Sequence, residues 1–535
     1  LEALKLLQES YLGKVKMIYI DPPYNTGNDF VYNDDFAEDT DEYLVQSLQK
    51  DEEGNRLVAN PESRGRYHSD WLSMMHSRLR LARNLLRDDG VIFISIDDHE
   101  QANLLRLCEE IFGENNYSGT FVWERKKKPS FLKKTMGTVT EYVHTFAKQY
   151  ESVDSFISGY AEDGKMYPFN NAGNNYSRLV FPERTVRFNM KDQLVRSQDM
   201  SAGNIKTKLI SDVLIKDGLN ETELVLDGEW RYSQDRVNEL IESGNEIRIS
   251  QIPFRPNLIN RELRTKKTAN FLSYRLGNVS ANEDATSEIR EIFGGNSIME
   301  YTKPRDFIQY LINTSTFTGE GIILDFFAGS STTAHAVMQL NAEDGGNRKF
   351  IMVQLPEETD EKSEAYKAGY KNIAEISKER IRRAGKQILE SDDIHEDWNR
   401  DIGFRVLKID SSNMKETFYK PEELTQGDLL AQIENVKEDR TAEDLLFQIM
   451  LDWGLPLDLP IEVETIQNKT VYIVAEDALI ACFDEGIDEA IVKTLADRKP
   501  LRLLFRDNYY ASNAVKINAE QLIKQLSPNT ELKSI

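Results

Sequence analysis

At 535 residues and a net charge of −24, the chain is too long for one ordinary hydrophobic core, and its acidic average argues against a nucleic-acid partner. Domains of about 100–200 residues predict two to four of them. No apolar run approaches the ~20 residues that a membrane helix needs, and two cysteines are too few for a disulfide framework or a cysteine zinc site, so we expect a soluble cytoplasmic protein.

Strand and helix patterns alternate along the first part of the chain. Apolar, β-rich runs at 16–20 ("KMIYI") and 91–96 ("VIFISI") predict two buried strands. Helical spacing of apolar residues predicts a helix over 69–90, ending at Gly90, and another over 99–113. Because the strands are apolar throughout, the pattern predicts an α/β doubly wound domain with a parallel sheet covered on both faces. The opening residues already have a helical pattern, so we expect a further segment before them.

The alternation stops over 149–298, where short strand patterns are scattered among many Asn, Arg and Ser residues. It returns at 319–340 with a strand, a tight turn and a helix. A strand over 347–357 and a long helix over 365–390 follow. The sequence therefore predicts one α/β sheet built from 1–148 and 299–400, split by the insertion 149–298 and followed by an α+β domain over 401–535.

The strand at 16–20 ends in "DPPY", residues Asp21 to Tyr24. Asp21 supplies a carboxylate acceptor, Pro22 leaves its carbonyl free while fixing φ at about −65°, and Pro23 stiffens the next step. Two acceptors directed at one point suit a planar amino group, and the Tyr24 ring suits a stacked base. The pattern predicts a site that holds an exocyclic amine and directs its lone pair at an electrophile. Loss of the Tyr24 hydroxyl alone is then expected to be mild.

Two cationic clusters depart from the acidic average. They are "RKKKPSFLKK" (125–134) and "RELRTKK" (261–267), and with nearby aromatic residues such clusters can form a phosphate-binding stripe. A solvated loop is the alternative for either cluster. The candidate DNA-binding residues are Arg125, Lys126, Lys127, Lys128, Lys133, Lys134, Arg264, Lys266 and Lys267. The histidines do not show the spacing of a metal site, so no metal is expected.

A turn of small residues follows the strand predicted near 320–325. In "ILDFFAGSSTT", Asp325 and Phe327 lie at the strand end, and small residues then lead into a helix. Ligands of open parallel sheets bind at such ends, small residues allow close backbone approach, and a helix N-terminus favours an anion. Because neither G-x-G-x-x-G nor a P-loop lysine is present, the turn favours a ligand with a carboxylate, such as an amino acid attached to a nucleoside. An ordinary glycine turn between strand and helix is the alternative.

Together these motifs resemble an amino-group DNA methyltransferase in the permuted order that places the catalytic motif before the cofactor motif. The resemblance is carried by "DPPY" (21–24), "KP" (303–304) and "DFFAGSST" (325–332). The longer segments "IYIDPPYNTGNDFVYNDDF" (18–36) and "YTKPRDFIQYLI" (301–312) resemble the modification subunit of type III restriction–modification systems.

The resemblance implies a Rossmann-like class I methyltransferase sheet, in which 149–298 is the target-recognition domain and 401–535 an association domain. Asp21 and the Pro22 carbonyl would hold N6 of adenine, and Tyr24 would stack on the base flipped out of the duplex. The implied S-adenosylmethionine pocket comprises Asp325, Phe326, Phe327, Ala328, Gly329, Ser330, Ser331, Thr332, Lys303, Pro304 and Gln354. Gln354 stands where many such enzymes have an acidic residue for the ribose hydroxyls.

The implied function is site-specific methylation of adenine N6 in double-stranded DNA, as the modification and recognition subunit of a type III system. The implied partners are a second copy of the chain, forming a homodimer, and an ATP-dependent restriction subunit. The apolar string at 445–462 is interpreted as an association surface. Three alternatives stay open: a methyltransferase for another planar amine (cytosine N4, RNA adenine or a glutamine side chain), an orphan adenine methyltransferase, and a non-catalytic DNA-binding subunit.

Overall fold

The computed structural model describes residues 1–26, 67–129, 134–160, 166–259, 265–299, 302–415 and 435–535. They form two compact units, one made of Leu1–Asp154 with Asn270–Ile535 and the other of Ser155–Ala269. The four-domain division and the functions assigned to its parts stay predictions. No helix within the described ranges is both long enough and apolar enough to span a bilayer.

A seven-stranded sheet forms the centre of the first unit. Its strands are β1 (Val15–Ile20), β2 (Leu86–Ile96), β3 (Tyr117–Glu124), β4 (Thr140–Ala147), β5 (Phe271–Ser273), β6 (Glu320–Asp325) and β7 (Asn347–Met352). The strand order is β5-β3-β4-β2-β1-β6-β7. The four strands from β2 to β7 in this order are parallel, as an α/β sheet built from continuous apolar runs should be.

The other part of this sheet is mixed: β5 is parallel to β3, but an antiparallel strand that the sequence does not predict lies between β3 and β2. Strand β4 is antiparallel to both β2 and β3. No continuous apolar run marks β4, because Glu141, His144 and Thr145 interrupt its pattern. All three side chains are nevertheless buried.

Helices of the first unit connect and cover these strands. They are α1 (Glu2–Tyr11), α2 (Tyr67–Leu85), α3 (Gln101–Phe112), α4 (Asn282–Ile292), α5 (Arg305–Ser315), α6 (Thr332–Asp344), α7 (Glu364–Lys367), α8 (Ile373–Leu389), α9 (Ala442–Asp452), α10 (Glu489–Ala496) and α11 (Asn513–Leu526). Apolar faces of α1, α2 and α3 pack with β1 and β2 in one core cluster. Helices α6 and α8 pack with β7 in another.

Two predicted helices have different bounds in the structure. Helix α2 ends at Leu85, and the residues up to Gly90 already belong to β2. A Cβ on Gly90 would lie 3.0 Å from the Val15 carbonyl, so glycine permits close strand contact here and does not end a helix. The helix predicted over 365–390 is divided into α7 and α8.

A second sheet lies in the C-terminal part of the first unit. It has the order β8 (Ile461–Ile466), β9 (Lys469–Val474), β10 (Leu479–Cys482), β11 (Arg502–Phe505) and β12 (Glu531–Ser534). Helix α9 buries Leu445, Leu446, Ile449 and Met450 in a core shared with this sheet. These side chains of the apolar string therefore serve the chain's own core and are not available as an association surface.

A tyrosine joins this C-terminal part to helix α1. The Tyr11 hydroxyl accepts from the Leu457 backbone N–H at 2.7 Å and lies 3.3 Å from a carboxylate oxygen of Asp458. Asp458 also pairs with Lys349 of β7. The loop after α9 is thereby fixed to both α1 and the central sheet.

The second unit, Ser155–Ala269, is rich in short strands and contains one described helix, Gln234–Glu242. Four strands form one sheet (198–199, 207–209, 224–229 and 176–181), and seven form another (166–168, 257–259, 246–249, 186–188, 219–220, 213–216 and 193–195). Its core is built around buried aromatic side chains such as Phe169, Phe181 and Phe254. Strand 157–160 pairs antiparallel with strand 265–267, so the chain enters and leaves this unit side by side.

Candidate active site

The carboxylates of Asp21 and Asp325 mark one edge of the central sheet. Asp21 follows β1, and Asp325 is the last residue of β6. Because β1 and β6 are neighbouring parallel strands, their carboxyl ends lie at the same edge. A cavity of about 220 Å³ at this edge is lined by Asp21, Asp325, Lys303 and Gly329, among others. The two sequence motifs thus converge on one cavity.

Polar contacts from α2 and α3 hold the DPPY turn. The indole Nε1 of Trp71 donates to the Pro23 carbonyl at 2.7 Å. Asn25, with a φ of 53°, donates through Nδ2 to Glu100 Oε1 at 2.6 Å. Glu100 is fully buried just before α3, and His68 Nδ1 lies 2.6 Å from the same oxygen. These contacts fix the backbone on both sides of the tyrosine of the motif.

A buried lysine neutralises the Asp21 carboxylate. Lys303 Nζ lies 2.7 and 2.8 Å from the two Asp21 oxygens and donates to the Tyr24 hydroxyl at 2.8 Å. That hydroxyl is also 2.8 Å from Asp21 Oδ1 and 3.2 Å from Glu141 Oε2. Burial works to lower the pKa of Lys303, but the Asp21 and Glu141 carboxylates raise it above its ordinary value. Lys303 is therefore charged at neutral pH.

Asp325 is buried without a cation beside it. Its oxygens accept from the Phe327 backbone N–H at 3.1 Å and from the Thr333 hydroxyl at 2.6 Å. Burial raises the pKa of the Asp325 carboxyl to about 7, although both hydrogen bonds work to lower it. Within the described ranges no lysine or arginine forms an ion pair with Asp325. A ligand with a positively charged group is what this carboxylate can accept.

Left-handed backbone angles shape the turn between β6 and α6. Gly329 has a φ of 52° and Ser331 a φ of 60°. The Gly329 N–H donates to Gln354 Oε1 at 2.7 Å, and its carbonyl accepts from the Ser377 hydroxyl. Ser331 Oγ is buried and has no hydrogen-bond partner among the described residues. This buried hydroxyl lies at the N-terminus of α6, next to Ser330 and Thr332, which line the cavity.

Arg380 of helix α8 supports the same turn. Its Nη1 donates to the Ser330 hydroxyl at 2.7 Å and to the Thr332 hydroxyl at 2.6 Å. Its Nη2 lies 3.3 Å from a carboxylate oxygen of Glu288. Burial lowers the pKa of Arg380 to about 10, so the guanidinium stays charged at neutral pH.

The predicted cofactor residues occupy different places around the cavity. Those that line it are Lys303, Asp325, Phe327, Ala328, Gly329, Ser330 and Thr332. Phe326 packs into the core, Pro304 precedes α5, and Gln354 braces Gly329. Their individual ligand contacts, like those of Asp21, Pro22, Pro23 and Tyr24, stay predictions.

The candidate DNA-binding cations differ in their surroundings. Arg125 is half-buried 3.2 Å from Glu141, and Lys127 pairs with Asp284 at 2.5 Å. Lys126 is half-buried, whereas Lys128, Lys134, Lys266 and Lys267 are exposed. Lys133 and Arg264 lie outside the described residues. The structure thus gives Arg125 and Lys127 partners within the protein, and their DNA contacts stay predictions.

A second cavity of about 410 Å³ shares Met299 with the first. Acidic side chains of Glu358, Asp360 and Glu364 line it together with apolar residues of α8. Its carboxylates offer acceptors for hydroxyl groups. In the described part of the chain no group of His, Cys, Asp and Glu residues has the arrangement of a metal site.

Several residues of the site escaped the sequence analysis. They are Trp71, Glu100, Glu141, Ser377 and Arg380, which contact backbone or side-chain atoms of the recognised motifs or of the residue next to them. Each lies more than 40 residues from the motif it contacts, at separations such as 48, 75, 117, 48 and 50 residues. A charged residue that breaks an otherwise apolar strand, as Glu141 does in β4, is the one signal that could have indicated such a role.

The parallel strands, the glycine turn after β6 and the DPPY turn after its neighbour define a class I methyltransferase fold with permuted motifs. The chain belongs to the DNA methylase family, whose N6/N4 model matches residues 15–379.

Curated relatives include type III modification subunits, and the resemblance seen in the sequence is confirmed. The StyLTI Mod subunit of Salmonella typhimurium is 35% identical over 76% of this chain and 59% of the relative. The EcoP15I Mod subunit of Escherichia coli is 32% identical over 76% of this chain and 64% of the relative. The type II methyltransferase M.KpnI of Klebsiella pneumoniae is 30% identical over 69% of this chain and 81% of the relative. The chain spans about three fifths of the length of the Mod subunits, 59% and 64%.

Proposed function

We propose that the protein is a site-specific DNA methyltransferase that transfers a methyl group from S-adenosylmethionine to adenine N6. It acts as the modification and recognition subunit of a type III restriction–modification system. The observation that carries the proposal is the convergence of Asp21 and Gly329 on one cavity, in a chain of the DNA methylase family. Direct transfer of a methyl group requires that the residues that hold the target amine and the turn that binds the cofactor lie at the same cavity.

The residues at the cavity fit S-adenosylmethionine. Asp325 is a buried carboxylate that can pair with the α-amino group, and the Ser330 and Thr332 side chains that line the cavity at the α6 N-terminus lie where the ligand carboxylate would bind. The neighbouring 410 Å³ cavity, with acceptors from Glu358, Asp360 and Glu364, suits the nucleoside half. S-adenosylmethionine supplies a methyl group on a positively charged sulfur, which an amine nitrogen can displace.

Asp21, Pro22 and Tyr24 would hold the target base. The duplex hides adenine N6, so the nucleotide has to leave the stack at a cost of a few kcal/mol. Stacking on Tyr24 returns about 1–3 kcal/mol. Asp21 and the Pro22 carbonyl each accept one amine hydrogen, which leaves the nitrogen lone pair directed at the cavity.

Alignment supplies most of the rate in this scheme. Holding the amine in line with the methyl carbon is worth up to about 7–11 kcal/mol as effective concentration. Asp21 polarises the amine more than it acts as a strong base, because the nitrogen becomes acidic only after it has gained the methyl group. The proton then leaves through Asp21, whose side chain is 25% exposed and reaches water.

Adenine is the proposed base because an aspartate opens the DPPY motif. The matching family model covers both adenine-N6 and cytosine-N4 methylases, so this finer assignment depends on the motif. Double-stranded DNA is the proposed substrate, with sequence read by residues of 149–298 and phosphates bound by the exposed cations. A homodimer and an ATP-dependent restriction subunit are the proposed partners.

A stand-alone methyltransferase is the second candidate function. M.KpnI is described as a type II methyltransferase, and this chain covers 81% of it. The chemistry at Asp21 would be the same, but no restriction subunit would bind. Co-purification with the product of an adjacent restriction gene distinguishes the two candidates.

Asp21→Ala tests the proposed chemistry. Sequencing of modified bases in DNA from cells expressing the wild-type protein is expected to reveal N6-methyladenine at one motif. The variant is expected to lose this methylation while keeping cofactor and DNA binding within about threefold, because Asp21 acts on the amine. Methylation by the variant at nearly the wild-type rate, or N4-methylcytosine in the wild-type DNA, would contradict the assignment.

A further inference from the structure

The Lys303 ammonium lies between two carboxylates that come from different strands. Asp21 follows β1, whereas Glu141 lies in β4. Nζ contacts both Asp21 oxygens, at 2.7 and 2.8 Å, but is 3.5 Å from Glu141 Oε2. A charge-assisted hydrogen bond measures about 2.7–2.9 Å, so the contact with Glu141 is close but incomplete. The side chains of Lys303 and Glu141 are only 9% and 5% exposed.

This arrangement conflicts with the task of Asp21. The target amine has to donate to Asp21, yet Lys303 already donates to both of its oxygens. A carboxylate that is neutralised by an adjacent ammonium also attracts an amine hydrogen less strongly. The amine therefore competes with the lysine for this carboxylate, and a buried ammonium that loses its partner is strongly unfavourable.

We propose that Glu141 receives the Lys303 ammonium when the target amine takes its place on Asp21. On this proposal, which rests on the proposed function, Glu141 is a positioning residue and Lys303 is a displaceable counter-ion. Closing the 3.5 Å gap to Glu141 needs a movement of less than about 1 Å. The Tyr24 hydroxyl, within hydrogen-bond distance of both carboxylates, can turn from Asp21 to Glu141 with it.

The surroundings of Lys303 favour this second position. Arg125 Nε lies 3.2 Å from the other Glu141 oxygen, Oε1, and forms an ion pair with that carboxylate. The ring centroids of Tyr24 and Trp123 lie 5.0 and 5.9 Å from Nζ, within the range of cation–π attraction. A cationic ligand in the cavity repels the ammonium from the Asp21 side.

Single-turnover methylation of a duplex with the motif found by sequencing tests the proposal. Glu141→Gln keeps the shape of the side chain and removes its charge. We expect the rate constant to fall at least about tenfold when Lys303 is present, and less than about threefold in a Lys303→Met background. Equal fold losses in both backgrounds overturn the proposal, because a purely structural role of Glu141 does not depend on Lys303.

If Lys303→Met abolishes methylation, an equilibrium measurement of DNA binding tests the proposal instead. The duplex is made with adenine, or with purine that lacks the amino group, at the target position. Glu141→Gln is expected to weaken binding of the adenine duplex about tenfold and to leave binding of the purine duplex unchanged. Equal weakening of both duplexes, or of neither, overturns the proposal.

Glu124→Gln is the matched control. Glu124 is buried on the neighbouring strand β3 and pairs with Arg275 at 3.0 Å. This variant should change rate and binding by less than about twofold. If the wild-type protein methylates no DNA, the proposed function fails and this inference fails with it. If the wild-type protein methylates and Glu141→Gln matches it, only the role of Glu141 fails.

Discussion

The contacts of the Tyr24 hydroxyl change the effect that is expected when this hydroxyl is removed. Stacking alone predicts a mild effect of Tyr24→Phe, but the structure places the hydroxyl among Asp21, Glu141 and Lys303. Its removal leaves a buried ammonium hydrogen without an acceptor, which costs about 1–3 kcal/mol. We expect methylation by Tyr24→Phe to be about tenfold slower and by Tyr24→Ala slower still, in single-turnover assays. A Tyr24→Phe rate equal to wild type would restore the simpler stacking interpretation.

Asp325 gives the unliganded protein a predictable pH dependence. The pKa of its carboxyl is about 7 in the folded protein and 3.8 ordinarily, so the folded state binds more protons between these values. The free energy of unfolding therefore decreases as pH rises from about 4 to about 7. Asp325→Asn removes this pH dependence. We expect the difference in free energy of unfolding, variant minus wild type, to be about 2–4 kcal/mol larger at pH 8 than at pH 4. Denaturant unfolding at pH 4, pH 5 and pH 8 measures it.

Asp227→Asn provides the control for this experiment. Arg178 holds the pKa of the Asp227 carboxyl below its ordinary value. Its contribution to stability is therefore present above about pH 4 and constant between pH 5 and pH 8. The Asp325→Asn prediction fails if its stability difference from wild type is equally flat over that range.

At the scale of elements, helix α8 supports the turn between β6 and α6. Arg380 reaches the Ser330 and Thr332 hydroxyls from this helix. Arg380→Met is expected to weaken S-adenosylmethionine binding at least about tenfold, measured by calorimetry, because the turn loses two charge-assisted hydrogen bonds. Arg382→Met, an exposed position on the same helix, should leave the affinity unchanged. Equal affinities of the two variants would show that the turn needs no support from α8.

The elements also show how far sequence reasoning reached. Continuous apolar runs predicted β1, β2, β6 and β7, and with them the edge where Asp21 and Asp325 meet. Strand β4 was not predicted because the sequence does not show whether a glutamate is buried or exposed. Its burial depends on partners far along the chain. The end of α2 was misplaced because Gly90 follows a helical pattern, although its function is close strand packing. The site's motifs could thus be predicted from local sequence, and its supporting side chains could not.

At the scale of the whole molecule, residues Ser155–Ala269 form a compact unit of their own. It is entered and left through the paired strands 157–160 and 265–267. We expect a chain in which 155–269 is replaced by a short glycine–serine linker to fold and to bind S-adenosylmethionine with wild-type affinity, because the cavity residues all lie in the first unit. The same chain should lose methylation at the specific motif, measured by sequencing of modified bases. Retention of motif-specific methylation would place sequence recognition elsewhere.

The contact between Tyr11 and the loop after α9 bears on how the chain folds during synthesis. The partners of the Tyr11 hydroxyl lie 446 and 447 residues further along the chain. Helix α1 therefore leaves the ribosome long before the surface that completes its packing exists, and contacts of such high sequence separation form late. Until then the part of α1 around Tyr11 lacks this cover, whereas its other apolar side chains can already pack with α2 and β1.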